Sequence, residues 1–227
     1  IILVEPNKKE AKILKNKNYK VIENGLWSKK CNKKLYVTGL NPGASSFFLP
    51  DRDGIKIYCN DQRYIDLYKI TEKQNIKCDT TSKLLAKLKI RELDYLKIDT
   101  QGSELEILKG LNNYFPLMIK VELQIFPMYK NAPDWSKVLH YLYKKNYSIC
   151  AFNKAGSHLT HAPAQADALF IPNFLTQKGR KEILKRRNIF IFLMIVFGQI
   201  QILKHISNEL KFKNLIEINN FRNKYFE

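Results

Sequence analysis

The chain has 227 residues, 45% hydrophobic and 26% charged, with a formal net charge of +18. That composition is ordinary for a soluble globular protein and gives enough chain for one good core plus a tail. So high a charge ordinarily points to nucleic acid or an anionic membrane. Here the excess is mostly lysine, with arginine only at Arg52, Arg63, Arg91, Arg180, Arg186, Arg187 and Arg222. Phosphate-reading surfaces draw on arginine forks, so nucleic acid is the less expected partner.

In chain order, Ile1 to Val4 reads as a short apolar strand, and Pro6 with the Lys8 to Lys17 stretch starts a helix. Val21 to Glu23 is a second strand leading to Gly25. Residues 33–78 change character: Leu35 to Val37, Ser46 to Leu49 and Ile55 to Tyr58 are β-prone runs. They are separated by the turn clusters Asn41-Pro42-Gly43 and Asp51-Arg52-Asp53-Gly54, which predicts a β-rich insertion lying over the sheet. Thr81 to Leu88 is helical, 93–99 is a strand, and Leu117 to Leu123 is the next strand. Trp135 to Lys145 is a helix, and Tyr147 to Phe152 with Ala168 to Ile171 form a closing hairpin around a loop at 153–167. Strands alternating with helices predict an α/β fold.

Residues 94–110 carry the strongest local signal. Leu93, Tyr95, Leu96 and Ile98 read as a buried strand that ends on Asp99, turns at Gly102 and enters a helix. Ser103 followed by Glu106 has capping-box spacing, so the helix is expected to begin at Ser103. Gly110 stands where a left-handed residue would close the last turn. In an open α/β sheet the carboxyl ends of the strands border the ligand crevice, so Asp99 points at the chemistry. Lys97 shares its strand face.

This segment resembles the FkbM-type family of S-adenosylmethionine-dependent methyltransferases through Lys97, Ile98, Asp99, Gln101, Gly102, Ser103, Glu104, Leu108, Lys109 and Gly110. The likeness extends to Val4 through Asn7, Gly43 through Ser46, Val121 through Leu123 and Ala166 through Asn173, covering roughly residues 1–175. It implies a class I, Rossmann-like, mostly parallel sheet, a methyltransferase core over 1–176 and a helical tail over 177–227. It also implies S-adenosylmethionine as cofactor. In this superfamily a glycine-rich turn, Asp-x-Gly-x-x-x-Gly, follows a central first strand, and nothing before Ile1 supplies it. The first strand and that turn are therefore expected to be missing from the N-terminus. The two strands flanking the gap would then have to pair with each other, or their unpaired backbone groups would leave the fragment poorly stable.

The resemblance gives Glu5, ending the second family strand, the two ribose hydroxyls, and puts Asn24, Gly25 and Leu26 near the adenine. Without it, Glu5 is a solvent-exposed acid ahead of a helix, stabilised by the helix dipole. If the strands around Leu96 and Ile119 are parallel neighbours, Asp99 and Glu122 lie side by side. Two carboxylates there would position a sugar hydroxyl, take its proton or hold a metal. The alternatives are that Glu122 pairs with Lys97 or Lys120 and that Asp99 caps a helix. His158 and His161, in the hairpin loop, are candidate general bases or simply exposed side chains, and no metal site is predicted from them.

Cys31, Cys59, Cys78 and Cys150 are too widely spaced in sequence for a metal knuckle or a redox pair, so reduced thiols in a cytoplasmic compartment are expected. The apolar run Ile189 to Phe197 has nine residues, about half the roughly 20 needed to span a bilayer. Preceded by Lys178, Arg180, Lys181, Lys185, Arg186 and Arg187, residues 178–203 would either dock peripherally on an anionic membrane, at its inner face, or pack on the domain or a second subunit. The function expected is O-methylation of a hydroxyl on a saccharide or glycan precursor. A non-catalytic methyltransferase-fold remnant acting as an interaction module, and an RNA methyltransferase, are the competing readings.

Overall fold

A computed structural model describes residues 1–59, 61–155 and 164–212. Its elements run β1 (Leu3–Val4), α1 (Lys8–Asn16), β2 (Val21–Ile22), β3 (Gly25–Leu26), β4 (Cys31–Thr38), α2 (Arg52–Cys59), α3 (Gln62–Asp66), β5 (Ile70–Asp79), α4 (Thr81–Lys87) and β6 (Tyr95–Ile98). There follow α5 (Glu104–Lys109), β7 (Met118–Gln124), α6 (Trp135–Lys144), β8 (Tyr147–Ala155), β9 (Gln165–Pro172), α7 (Gln177–Lys185), α8 (Arg187–Val196) and α9 (Ile200–Glu209). The alternation of strands and helices is as expected. The single, mostly parallel sheet is not what is found.

The strands form three sheets, ordered β1-β2, β3-β5-β4 and β6-β7-β9-β8. Parallel pairs are β1 with β2, β3 with β5, and β6 with β7, while β4–β5, β7–β9 and β8–β9 are antiparallel. The split has a simple cause. Among the described residues β1 and β6 each pair on one side only and not with each other, so two otherwise ordinary half-sheets stay separate. The closing hairpin forms as expected, with Tyr147 opposite Pro172 and β9 lying between β7 and β8.

The four-stranded sheet carries the main core. On one face Ile98, Ile119, Val121, Leu123, Ala168 and Phe170 pack under Leu105, Ile107 and Leu108 of α5 and Val138 and Leu142 of α6. On the other, Met118, Leu169 and Ile171 meet Ile183, Phe190, Leu193, Met194, Leu203 and Ile206 of the last three helices. The strand period of two separates these sets along β7. Arg186, at the α7–α8 junction, is buried and donates to the carbonyls of Leu93 (3.1 Å) and Phe115 (2.7 Å) while pairing with Asp94 and Glu182. It ties the tail to the sheet and is not a surface cation.

The insertion is less β-rich than expected. Ile55 to Tyr58, read as a strand, lies in α2, because the Asp51 carboxylate accepts from the amides of Asp53 and Gly54 and opens a helix. Ser46 to Leu49 contributes one isolated bridge, Ser46 to Tyr36, and no strand. The extended structure is in β4 and the ten-residue β5, whose buried Gln74, Ile76 and Cys78 alternate with exposed residues. Leu35, Val37, Ile76 and Cys78 pack with Trp27 there. Cys31 and Cys78 are directly opposed across this pair, both free thiols, so their separation in sequence conceals a contact.

Candidate functional site

Ile98 of β6 stands opposite Val121 of β7, and the residues that follow, Asp99 and Glu122, leave the same carboxyl edge. Lys97 donates to Asp99 at 3.0 Å, which places both on one strand face. Lys120 pairs instead with Asp167 of β9 at 2.7 Å. Glu122 therefore has neither lysine as a partner. Asp99 bonds to Lys97 and Gln101 and does not cap α5.

The loop between Asp99 and α5 is built for close approach. Gln101 (φ 56°) and Gly102 (φ 109°) are both left-handed. A Cβ on Gly102 would also lie 3.0 Å from Ala132 and 3.1 Å from Phe48, so glycine is required by conformation and by space. Glu104, 5% exposed, holds the loop from inside, accepting from the Thr100 and Gly102 amides at 3.1 Å and the Thr100 hydroxyl at 3.0 Å. Its burial pushes its pKa up, with those hydrogen bonds opposing.

The expected capping box does not form. Ser103 is the residue before the helix, but its hydroxyl is buried without a partner, and Glu106 binds Ser28 and Lys109 instead. Glu106 is the box's reciprocal acid, so its bonds to Ser28 and Lys109 leave Ser103 without that partner. Gly110 is helical (φ −70°) and not left-handed. A Cβ there would lie 2.5 Å from the Trp27 carbonyl, so glycine is demanded by packing against the chain leaving β3.

Gln101, read from sequence only as a motif position, organises the site. Its amide donates to Glu122 at 2.7 Å and to Asp99 at 3.3 Å, bridging the two carboxylates. Its side-chain oxygen accepts from Gln124 at 3.2 Å, and Gln165 of β9 donates to Glu122 at 2.9 Å. The Gln101 carbonyl accepts from Ser46 of the insertion at 2.6 Å, and Tyr129 donates to Ala44 at 2.7 Å. The insertion is thereby fastened to the carboxylate edge at two points. Gln165 and Ser46 were invisible as site residues, since their approach depends on strand register and on the insertion's path.

Burial, reinforced by the Asp99 charge and opposed by the Gln101 hydrogen bond, pushes Glu122 up to about 7. This carboxyl changes protonation near neutral pH. Burial raises Tyr129 as well, with Tyr68, Glu122 and Asp99 as charged or ionisable neighbours.

Glu5 follows β1 and Asn24 follows β2, so both leave the carboxyl edge of that parallel pair. Glu5 is half-buried, not solvent-exposed; one oxygen accepts the Asn7 amide at 2.8 Å, and burial raises its pKa. The second oxygen has no hydrogen-bond partner among the described residues, which fits a hydroxyl-bearing ligand. Asn24 donates to the Gly25 carbonyl at 2.9 Å. Gly25 lies in β3 opposite Cys78, where a Cβ would come within 2.4 Å of the Cys78 sulfur, and Leu26 packs against the core that contains Ile98. His158 and His161 lie outside the described residues. Among the described residues no group of three or more His, Cys, Asp or Glu could hold a metal ion.

A family model described as the methyltransferase FkbM domain matches residues 1–149, a span that includes Glu5, Asp99, Gln101 and Glu122. Neither the curated proteins nor the solved structures compared with the chain give a match.

Proposed function

The chain belongs to the methyltransferase FkbM domain family, and we propose that it transfers a methyl group from S-adenosylmethionine to a hydroxyl oxygen of a saccharide or glycan precursor. The observation that carries this reading is the Asp99–Gln101–Glu122 cluster at the carboxyl edge of a parallel strand pair. S-Adenosylmethionine supplies an electrophilic methyl group on a sulfonium. Glu5, with one carboxylate oxygen uncommitted, would hold the ribose, and Asn24, Gly25 and Leu26 would border the base. Asp99, paired with Lys97, would orient the acceptor hydroxyl, and Glu122 would take its proton as the oxygen attacks. Positioning of the oxygen in line with the methyl group supplies most of the acceleration, up to about 7–11 kcal/mol for near-attack geometry.

Among the described residues β1 and β6 each have a strand neighbour on one side only, so each keeps an open edge. No turn of the Asp-x-Gly-x-x-x-Gly form occurs in residues 1–227, so the methionine end of the cofactor is assigned no cradle here. Calorimetry of the protein with S-adenosylmethionine, followed by transfer of labelled methyl to a panel of saccharides, tests the proposal. Absence of cofactor binding would favour the interaction-module reading.

A second reading concerns the tail. No helix among the described residues is long and apolar enough to cross a membrane. Leu184, Ile189, Phe192 and Val196 are nevertheless exposed on α7 and α8, with Lys181 and Arg187 exposed beside them. This pairing of apolar and cationic side chains supports peripheral contact with an anionic membrane surface. Sedimentation with anionic vesicles that falls with salt, and no sedimentation with neutral vesicles, is the expected outcome.

A further inference from the structure

Helices α2 and α3 enclose a cavity of about 320 Å³ lined by Arg52, Ile55, Lys56, Gln62, Ile65, Asp66, Tyr68 and Lys69. Three of these side chains are cations, and none of the three has an ion-pair partner among the described residues. The single acid, Asp66, accepts from Gln62 at 2.9 Å. Unpaired cations converging on one concavity raise the local concentration of anions. The floor is different in kind, since Ile55 is fully buried and packs with Ile65, Tyr68, Met128, Tyr129 and Ala164.

That floor joins the cavity to the carboxylate edge. Asp51, just ahead of α2, donates its amide to Met128, and Lys130 donates to Leu49, so the insertion is strapped to the segment after β7. Ala164 accepts from Ile125 and Phe126 and directly precedes Gln165, which donates to Glu122. One cluster of side chains thus separates the cation-rimmed cavity from the carboxylates.

We propose that the α2–α3 cavity binds the anionic group of the methyl acceptor, a phosphate or carboxylate carried on a sugar, with Arg52, Lys56 and Lys69 as the recognising cations. This rests on the methyltransferase reading for what is accepted, but the cation set and the cavity stand apart from it. The volume lies at the lower end of the roughly 300–1,000 Å³ of small-molecule pockets, enough for the anionic end of an acceptor whose methylated hydroxyl lies beyond that cluster. A cavity lined by uncharged as well as cationic side chains matches a sugar bearing one oxyanion better than it matches free phosphate, which would engage the cations alone. Arginine adds planar, two-pronged recognition that fits either oxyanion.

The test is calorimetry on the full chain, without any methyl donor, using glucose 1-phosphate, glucuronate, glucose and inorganic phosphate. Glucose 1-phosphate or glucuronate should bind at least about tenfold more tightly than glucose, and the tighter of the two names the oxyanion. The double variant Arg52→Gln, Lys69→Gln should lose that preference, and Lys56→Gln alone should weaken it. All three side chains are exposed, and an unchanged circular dichroism spectrum will show that the variants fold. Equal binding of glucose, binding of none of the probes, an unaltered double variant, or inorganic phosphate binding as tightly as the charged sugars would each overturn the proposal. Cofactor binding is measured separately, so its failure breaks the methyltransferase reading and leaves the cavity result standing.

Discussion

Glu5 and Glu122 both stand at the carboxyl end of a parallel strand pair, and burial raises both acids, yet they are held in opposite ways. Glu5 has one hydrogen bond, from an amide two residues away. Glu122 is gripped by Gln101 from one loop and Gln165 from another strand, with Asp99 alongside. The first acid is positioned by its own chain and keeps an oxygen free for a ligand. The second is positioned by distant segments before any ligand arrives. On the proposed function, the difference separates a binding group from a group set for proton transfer.

Asp99→Asn probes that distinction most severely. Turnover should drop by about 100-fold, the loss that a misplaced acceptor hydroxyl can cause, while the melting temperature and cofactor affinity hold. Full activity in the variant would reduce Asp99 to a partner of Lys97. Glu5→Ala should do the reverse, weakening S-adenosylmethionine by roughly 1.5–3 kcal/mol in calorimetry, the range for hydrogen bonds to a charged group. If it lowered turnover at saturating cofactor instead, the two edges would not divide the work as described.

Glu122→Gln sharpens the comparison through pH. A carboxyl raised from its ordinary value of 4.5 to about 7 binds more protons folded than unfolded between those values. Its contribution is fully present below about 4.5 and is lost as pH rises through about 7. The glutamine variant should therefore gain on the wild type as pH rises, by on the order of 2 kcal/mol at pH 8 after allowing for partial exposure. Denaturant midpoints at pH 4 and pH 8 measure it, and a difference independent of pH would show that Glu122 is not held in this state.

Much of this arrangement was legible from local pattern. β6, its turn and α5 follow from the apolar run, Gly102 and the leucine spacing, and the parallel pairing of β6 with β7 bears out the neighbouring of Asp99 and Glu122. What escaped depended on competition or distance. Ser103 has the residue type of a cap, but Glu104 bonds to the loop and Glu106 is drawn to Ser28. Gly110 was rightly singled out, for the wrong reason. β5 carries few apolar residues, so its alternation is faint until Leu35 and Val37 are laid against it. Gln165 reaches Glu122 only because β9 runs antiparallel beside β7, a register that no window of sequence contains.

The opposed pair Cys31 and Cys78 bears on chemical durability. Cys78 is 2% exposed, and burial together with Cys31 pushes its thiol up to about 12. Only the thiolate attacks an oxidant or a disulfide, so at neutral pH Cys78 is held in its unreactive thiol form. The apolar packing that brings Cys78 opposite Cys31 thus also keeps the Cys78 sulfur from attacking. Alkylation kinetics under native conditions should find Cys78 silent, with labelling that begins only when the β4–β5 pair opens.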